Sequence, residues 1–431
     1  MVSPKFDCIQ VQCCSLSGGK EINMSNGLLK ESLSTPVRYS TEVCVAGGGI
    51  AGIAAAISAA RAARRCGKEV KVMLLERGYM LGGLATAGII TIYLPLCDGY
   101  GKQVSFGLAE ELLRLSIEHG AEDRYPEKWL NGEESTQEDD RFEVQYNAQL
   151  FAISAEKLLL DEGVKILYGV SVANTVLEDG KITHVIIEGK SGREAISVNT
   201  VVDATGDADI CKLSGAQTAT FTPGNRLSAW HYTYGGGKYQ LNMYGVIGTP
   251  TANEYVKHSI KRRFGGLDTE EISEFTCIAH KTVLDSILEK RKTVPDTVPV
   301  TMFTTPQLRM TRRIVGEYTQ HDTEIYATYG DSVGAFSDWR IRGPVYELPF
   351  RTLYSAKVKN LITAGRCISV TDEMWDITRV IPVCAVSGEA AGAAAAMFDD
   401  FGSADVQRLQ EYLEAAGVVL HPERNEKWNN Q

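Results

Sequence analysis

The residues best suited to chemistry come early: Gly47, Gly49 and Gly52, spaced as G-x-G-x-x-G, with Glu76 beyond them. The apolar run Val43-Cys44-Val45-Ala46 empties into this glycine turn. An alanine-rich helical segment follows, Ile53 to about Cys66, and then a second apolar strand, Val70–Leu75, that ends on Glu76. Strand, turn, helix, strand and acid together predict a dinucleotide site. Gly47 permits the tight turn, Gly49 lets backbone approach a pyrophosphate, and Gly52 lets helix and strand pack closely. Ile50 and Ala51 sit where the helix begins, and its free N–H groups and partial positive charge suit phosphates. Glu76, with Arg77 beside it, stands where a carboxylate accepts hydrogen bonds from a ribose. Glu76 lies 24 residues after Gly52, where roughly 20 is usual; the surplus is about one helical turn, which keeps the apolar face in phase. Arg61, Arg64 and Arg65 recur at three and four, the spacing of a solvated face near the helix end.

A second set of chemically able residues comes late. Arg309, Arg312 and Arg313 stand close together, Arg340 and Arg342 flank Ile341, Arg351 follows Pro349-Phe350, and Arg379 precedes another alanine-rich segment. A guanidinium fork binds a carboxylate bidentately, so these are candidates to hold an anionic substrate. As proton donors they are weak, with an ordinary pKa above about 12. Arginines also pair with acids at domain contacts, and this chain has 54 Asp and Glu. Cys97, between Pro95-Leu96 and Asp98-Gly99, is either packing or a residue facing the cofactor. Asp372, Glu373, Trp375 and Asp376 lie on an expected loop before Arg379, positioned to shape a pocket.

Composition narrows the class. The 431 residues suffice for two domains, or for one large and one inserted. A net charge of −10 argues against nucleic acid and against an anionic membrane surface. No apolar run reaches the length of a membrane span, and the first 19 residues lack the pattern of a signal peptide. The ten cysteines show no C-x-x-C pair and no zinc spacing, so no metal is expected and a reducing, cytoplasmic compartment is the simplest reading.

The elements that position these residues follow from periodicity. Residues 1–40 are an extension rich in Ser, Gly and Lys. Leu108–His119 and Phe151–Glu162 have helical spacing, Glu122–Arg141 is an acidic loop, and Val164–Tyr168 is a strand. Ser171–Leu177, Thr183–Glu188 and Glu194–Val198 are three short antiparallel strands, the first two joined by Asp179-Gly180. Thr200–Asp203 is a separate buried parallel strand that ends in Ala204-Thr205-Gly206-Asp207. From 208 to 354 the alternation is lost, and aromatic strands with one helix, about Phe275–Lys290, indicate an inserted α+β domain. Leu361–Ala364 and the helix opened by Pro382, running from Val383 to about Phe398, resume the first pattern, and Val406–Ala416 is a last helix. The dinucleotide domain is therefore discontinuous, 41–207 with 355–417.

With these pieces the chain resembles the FAD-dependent oxidoreductases of the glutathione-reductase-like superfamily. More narrowly, it resembles a bacterial family related to the flavoprotein subunits of fumarate reductase and succinate dehydrogenase. The likeness runs from about Tyr39 to Gly417 and rests on four blocks. They are Gly47–Gly52 with Glu76, Leu81-Gly82-Gly83-Leu84-Ala85-Thr86-Ala87-Gly88, Asp203–Asp207, and Ala364-Gly365-Arg366-Cys367 with Arg379 and Gly388-Glu389-Ala390-Ala391-Gly392.

The resemblance implies FAD as cofactor, with Gly82, Gly83 and Thr86 wrapping the pyrophosphate and Ala204, Thr205 and Gly206 beside the dinucleotide. Gly365, Arg366 and Gly388 would close the site. The last helix would aim its N-terminus at the flavin pyrimidine edge, where a positive end stabilises the anion of reduced flavin. Many flavoproteins have Asp where this chain has Arg366, so the ribitol contact is expected from backbone. Val172 would meet adenine through backbone groups. Arginine and histidine clamp substrate carboxylates in such relatives, which makes Arg312, Arg379 and His231 the candidate catalytic residues.

The expected fold is thus α/β, a Rossmann-like FAD-binding domain with a small antiparallel sheet and an inserted α+β substrate domain. The expected activity is hydride transfer between flavin N5 and a small organic substrate, carboxylate-bearing or otherwise polar, with the electron donor or acceptor open. The rival readings are an electron-transfer subunit that needs a partner protein, and a non-redox dinucleotide-binding protein.

Overall fold

The computed structural model describes residues 32–124, 143–245 and 261–425, so the extension, Cys8, Cys13, Cys14 and most of the acidic loop lie outside the described residues. Its first element is a strand, β1 (Val37–Ala46), which starts before the glycine turn by a full ten residues because Tyr39 to Thr41 already pair with a neighbour. Helix α1 (Ile50–Arg65) follows, then β2 (Val72–Glu76), β3 (Ile92–Tyr93), α2 (Leu108–Glu118), β4 (Ala121–Arg124), β5 (Val144–Tyr146) and α3 (Ala148–Asp161). Next come β6 (Lys165–Tyr168), β7 (Ser171–Glu178), β8 (Lys181–Gly189) and β9 (Gly192–Asp203).

The main sheet has seven strands in the order β6-β2-β1-β9-β8-β7, with β17 (Leu361–Thr363) paired to β9 as well. β1, β2, β6, β9 and β17 are parallel, and β7 and β8 run antiparallel. One expectation is corrected here. Glu194–Val198 and Thr200–Asp203 are not two strands but the two halves of β9, which pairs β8 with its first half and β17 with its second. Asn199, exposed between buried Val198 and Thr200, keeps the alternation in register across that seam.

The stretch between the two sequence halves of this sheet carries one long helix among shorter elements. They are α4 (Asp209–Leu213), β10 (Thr218–Thr220), β11 (His231–Gly235), β12 (Lys238–Asn242), α5 (Thr269–Arg291), β13 (Val298–Met302), β14 (Arg312–Ile314), β15 (Ser332–Ser337) and β16 (Val345–Pro349). They form the sheet β12-β11-β13 and the pairs β10-β14 and β15-β16. The chain closes through α6 (Asp372–Thr378), α7 (Ile381–Met397) and α8 (Val406–Ala415). The expected loop around Trp375 is helix α6, because the Thr371 hydroxyl accepts from Met374 N and caps it.

The core is made where α7 lies on α1. All 17 residues of α7 are buried, as are thirteen of α1. Small residues let the axes approach: a Cβ on Gly388 would overlap the Ala51 carbonyl oxygen, and one on Gly392 that of Ala55. No single helix among the described residues is long and apolar enough to cross a membrane.

The Arg61 face is corrected at one residue: Arg64 and Arg65 are exposed as expected, Arg61 is not. Arg61 is half-buried and holds Glu111 at 2.6 and 2.8 Å and Glu162 at 2.7 Å, while Arg64 bonds Glu162 and Arg65 lies over the Tyr412 ring. Helices α2, α3 and α8 pack around this end of α1 and leave it ion-paired. These arginines line a cavity of about 480 Å³ with Leu108, Glu389 and Tyr412, roughly 17 Å along α1 from the glycine turn.

Candidate active site

The four glycine blocks, scattered over more than 300 residues of sequence, meet at the carboxyl ends of β1, β9 and β17. The first and third touch because Ala204 N donates to Ala46 O at 2.9 Å, and a Cβ on Gly47 would run into the Ala204 carbonyl. Gly47 has φ +104°, a conformation only glycine adopts freely. The first and second touch through Gly82 N, which donates to Gly48 O at 2.8 Å. The third and fourth touch through Ala364 N, 3.0 Å from Asp203 O, and through Arg366, whose guanidinium fills the space beside Gly206. The fourth returns to the first where Gly365 faces the Ala51 methyl; a Cβ there would stand 2.7 Å from it.

Within this ring Gly49 is different. A Cβ on Gly49 would meet no protein atom within 4 Å. Gly47 and Gly52 are glycine because protein presses on them, and Gly49 looks into open space. Beside it lie the first N–H groups of α1, those of Ile50, Ala51 and Gly52, which have no acceptor inside the helix. Open room, bare donors and a positive helix end at one place fit the phosphates of a dinucleotide.

Glu76 ends β2 beside the glycine turn. Its Oε2 accepts from Gly48 N at 2.8 Å and its Oε1 from Gly78 N at 2.6 Å, which fixes the carboxylate with lone pairs to spare. Arg77 is exposed next to it, and Val170, just before the strand β7 that carries Val172, donates from its N to Glu76 O at 3.2 Å. Asp203 shapes the third turn: Oδ1 accepts from Thr205 Oγ1 at 2.7 Å and Oδ2 from Cys211 N at 2.9 Å.

Two residues of the expected set serve the protein itself. The Thr86 hydroxyl donates to Leu81 O and the side chain is wholly buried, so it closes the second turn. Gly388 sits two turns inside α7 against Ala51, where it permits helix packing. Cys97 is buried, and burial pushes its thiol up to about 12, which makes it a packing group.

The arginines sort by partner. Arg312 Nη2 holds Asp209 Oδ1 at 2.6 Å and its Nε donates to Asp207 O. Arg379 holds Asp376 Oδ1 at 2.6 Å, Arg313 holds Asp372 at 3.4 Å, Arg340 holds Asp338 at 2.9 Å, and Arg351 holds Asp331 at 2.9 Å. Arg342 is exposed. The expected substrate clamp of Arg312 and Arg379 is therefore two guanidiniums already neutralised within the protein. His231 is also set apart from them. Its Nδ1 is at Ala229 O, burial lowers its pKa, and the charge it feels is that of Lys290 on α5.

The residue that spacing did not single out is Arg309. It is 3% exposed, yet among the described residues its Nε and Nη2 have no partner, and neither does Nε1 of Trp230, the ring it lies over at 5.2 Å. Its Nη1 reaches only Gly245 O, at 3.4 Å. Burial and the nearby Arg379 and Arg366 bring its guanidinium down to about 9, with Asp376 opposing; it is still charged at neutral pH. Neighbouring Gln307 donates from Nε2 to Gly88 O at 2.6 Å and accepts at Oε1 from Trp230 N. Arg366 donates to Leu308 O at 2.5 Å and to Arg309 O at 3.1 Å. The segment 307–309 is thus tied to the second and fourth glycine blocks. Ile89, next to Gly88, holds φ +57°, a strained value for a β-branched residue.

Comparison with known proteins agrees with this cradle. A family model described as FAD dependent oxidoreductase matches residues 42–227 and 337–413, more than half of the chain. No curated protein matches. Among solved structures, a geranylgeranyl bacteriochlorophyll reductase-like protein of Thermoplasma acidophilum is 13% identical, covering 88% of this chain and 83% of its own, at TM-score 0.41. p-Nitrophenol 4-monooxygenase of Pseudomonas putida is 12% identical, covering 91% and 92%, at 0.41. The open form of a flavocytochrome c3 fumarate reductase is 14% identical, covering 84% and 78%, at 0.39. At such scores these likenesses add nothing to the family match. With four glycine blocks closed around open space and the family model spanning both halves of the sheet, the chain belongs to the FAD dependent oxidoreductase family, and FAD is its cofactor.

Proposed function

We propose that the protein passes a hydride between flavin N5 and a small polar organic substrate bound beneath the segment 208–354, which acts as the substrate domain. FAD supplies the redox chemistry. Gly49, the α1 N-terminus, Glu76 and the Thr205-Gly206 turn hold the dinucleotide. The N-terminus of α7 lends positive charge, and the segment 307–309 supplies the polar surface that meets the substrate.

One observation carries this reading: the segment fastened across the glycine blocks presents buried donors, Arg309 Nε and Nη2 and Trp230 Nε1, that no group among the described residues satisfies. A buried donor left bare costs about 1–3 kcal/mol, and a polar ligand accounts for several at one place. The free thiols suit a reducing compartment such as the cytoplasm.

The test is anaerobic. The purified yellow protein is bleached with dithionite or NAD(P)H and then mixed with enones, carboxylates and other small organic acceptors, and the oxidised protein is mixed with the reduced forms. Recovery or loss of flavin colour with a subset of these compounds is expected. Indifference to all of them, with rapid electron exchange to a partner protein, would replace this reading with the electron-transfer subunit.

A further inference from the structure

We infer that Arg309 forms a subsite for a single oxyanion, so that the substrate meets this protein as a monoanion, one carboxylate or comparable group held by the Arg309 fork. The inference rests on the substrate reading above and narrows it. Three features of the geometry lead to it.

First, Arg309 is built to receive an anion. Its side chain is almost completely enclosed, its Nε and Nη2 have no acceptor among the described residues, and the guanidinium lies over the Trp230 ring. A guanidinium presenting Nε and Nη2 side by side matches the two oxygens of a carboxylate. The unpartnered Trp230 Nε1 offers a third donor from the same stack.

Second, the charge around it leaves room for one negative group. Among the described residues the charged groups that act on Arg309 are Arg379, Asp376 and Arg366. Arg379 is paired with Asp376, and Arg366 lies 3.8 Å from Asp207. Arg340, which also reaches Asp376 at 3.7 Å, is balanced by Asp338. Three guanidiniums thus face two carboxylates, and one positive charge is over. A second substrate carboxylate would have to displace Asp376 or Asp207 from its own arginine.

Third, the backbone holds the residue still. Arg366 binds the Leu308 and Arg309 carbonyls, Asn225 Oδ1 accepts from Arg309 N at 2.9 Å, and Gln307 is anchored to Gly88. A site fixed from both sides loses little entropy when its ligand arrives.

The holoprotein is titrated with propionate, benzoate and succinate as probes, following the flavin absorbance bands. Propionate and benzoate are expected to perturb the spectrum saturably, and succinate to bind no tighter than propionate. Arg309→Gln should weaken the monocarboxylates by roughly 10- to 100-fold with FAD content unchanged, and Arg309→Lys, which keeps charge without the fork, by less. Four results would overturn the inference: no response of the wild-type flavin to any probe, equal affinity in the Gln variant, a clear preference for succinate, or a Gln variant that loses FAD while its remaining holo fraction binds carboxylates as before. The last would assign the arginine to the flavin. If Arg309→Gln does not fold, the Lys variant and the propionate–succinate comparison still decide. Failure of the hydride reading shows separately, as a flavin that no organic compound oxidises or reduces.

Discussion

At the scale of single residues, the glycines of the first turn differ in what they face, and substitution reads that difference. A methyl on Gly52 would overlap the Gly47 carbonyl, so Gly52→Ala is expected to cost about 1–3 kcal/mol or more and to lower the melting temperature of FAD-free protein. Gly49 has φ −70° and open space where a methyl would go. Gly49→Ala should therefore leave FAD-free stability within about 0.5 kcal/mol and weaken FAD by roughly tenfold or more. Thermal melts of stripped protein beside flavin-binding titrations separate the two; equal losses of stability would refute the distinction. These glycines and Glu76 were legible in the sequence because their backbone geometry admits few alternatives. Arg309 was not. Seven late arginines look alike on paper, and only the fold shows that Asp209, Asp331, Asp338, Asp372 and Asp376 neutralise five of the others, while among the described residues no acid pairs with Arg309.

Among elements, the junction of α7 with α2 carries a titration. Glu389 Oε2 accepts from Leu108 N at 2.7 Å at the start of α2, and burial pushes its carboxyl up to about 8 from 4.5. Between about pH 4.5 and 8 the folded protein keeps a proton that the unfolded chain has released, so stability falls as pH rises through that window. Glu389→Gln retains an acceptor for Leu108 N and removes the slope. Urea melts near pH 9 should find the variant more stable than wild type by about a few kcal/mol, with the gap closing near pH 4. A gap that stays constant across that range would mean the carboxyl is not the titrating group. Sequence periodicity located most of the longer elements; β4 at Ala121–Arg124 begins where a loop was expected, and two other misreadings have local reasons. β9 was divided because a polar Asn199 interrupts its apolar runs. α6 was read as loop because its acids and Trp375 hide a one-residue cap, Thr371.

For the whole molecule, Gln307 joins the segment 208–354 to the glycine ring. It bonds Ser228, Trp230 and Gly88 at once, and no other side chain of that segment reaches Gly88 O in the described residues. Gln307→Leu leaves those buried groups bare at about 1–3 kcal/mol. We expect it to depress substrate turnover while bound FAD per chain stays near wild type; a parallel loss of FAD would show that the tie serves the cofactor instead. That the late strand β17 joins the main sheet was readable because the glycine pattern resumes at Gly365. The relation of the inserted segment to the cradle was not, since Gln307 and Gly88 have no pattern that couples them.

The long strand β9 has a consequence for biogenesis. Its outer partner β17 and the helix that covers α1 are both translated more than 150 residues later, and such distant pairings form slowly. A nascent chain that has emerged only as far as β9 carries the alanine surface of α1 uncovered and one flank of its sheet unpaired, which invites self-association. Flavin loading must then wait until the final helices have left the ribosome, and chains shortened before Leu361 should collect as colourless aggregate.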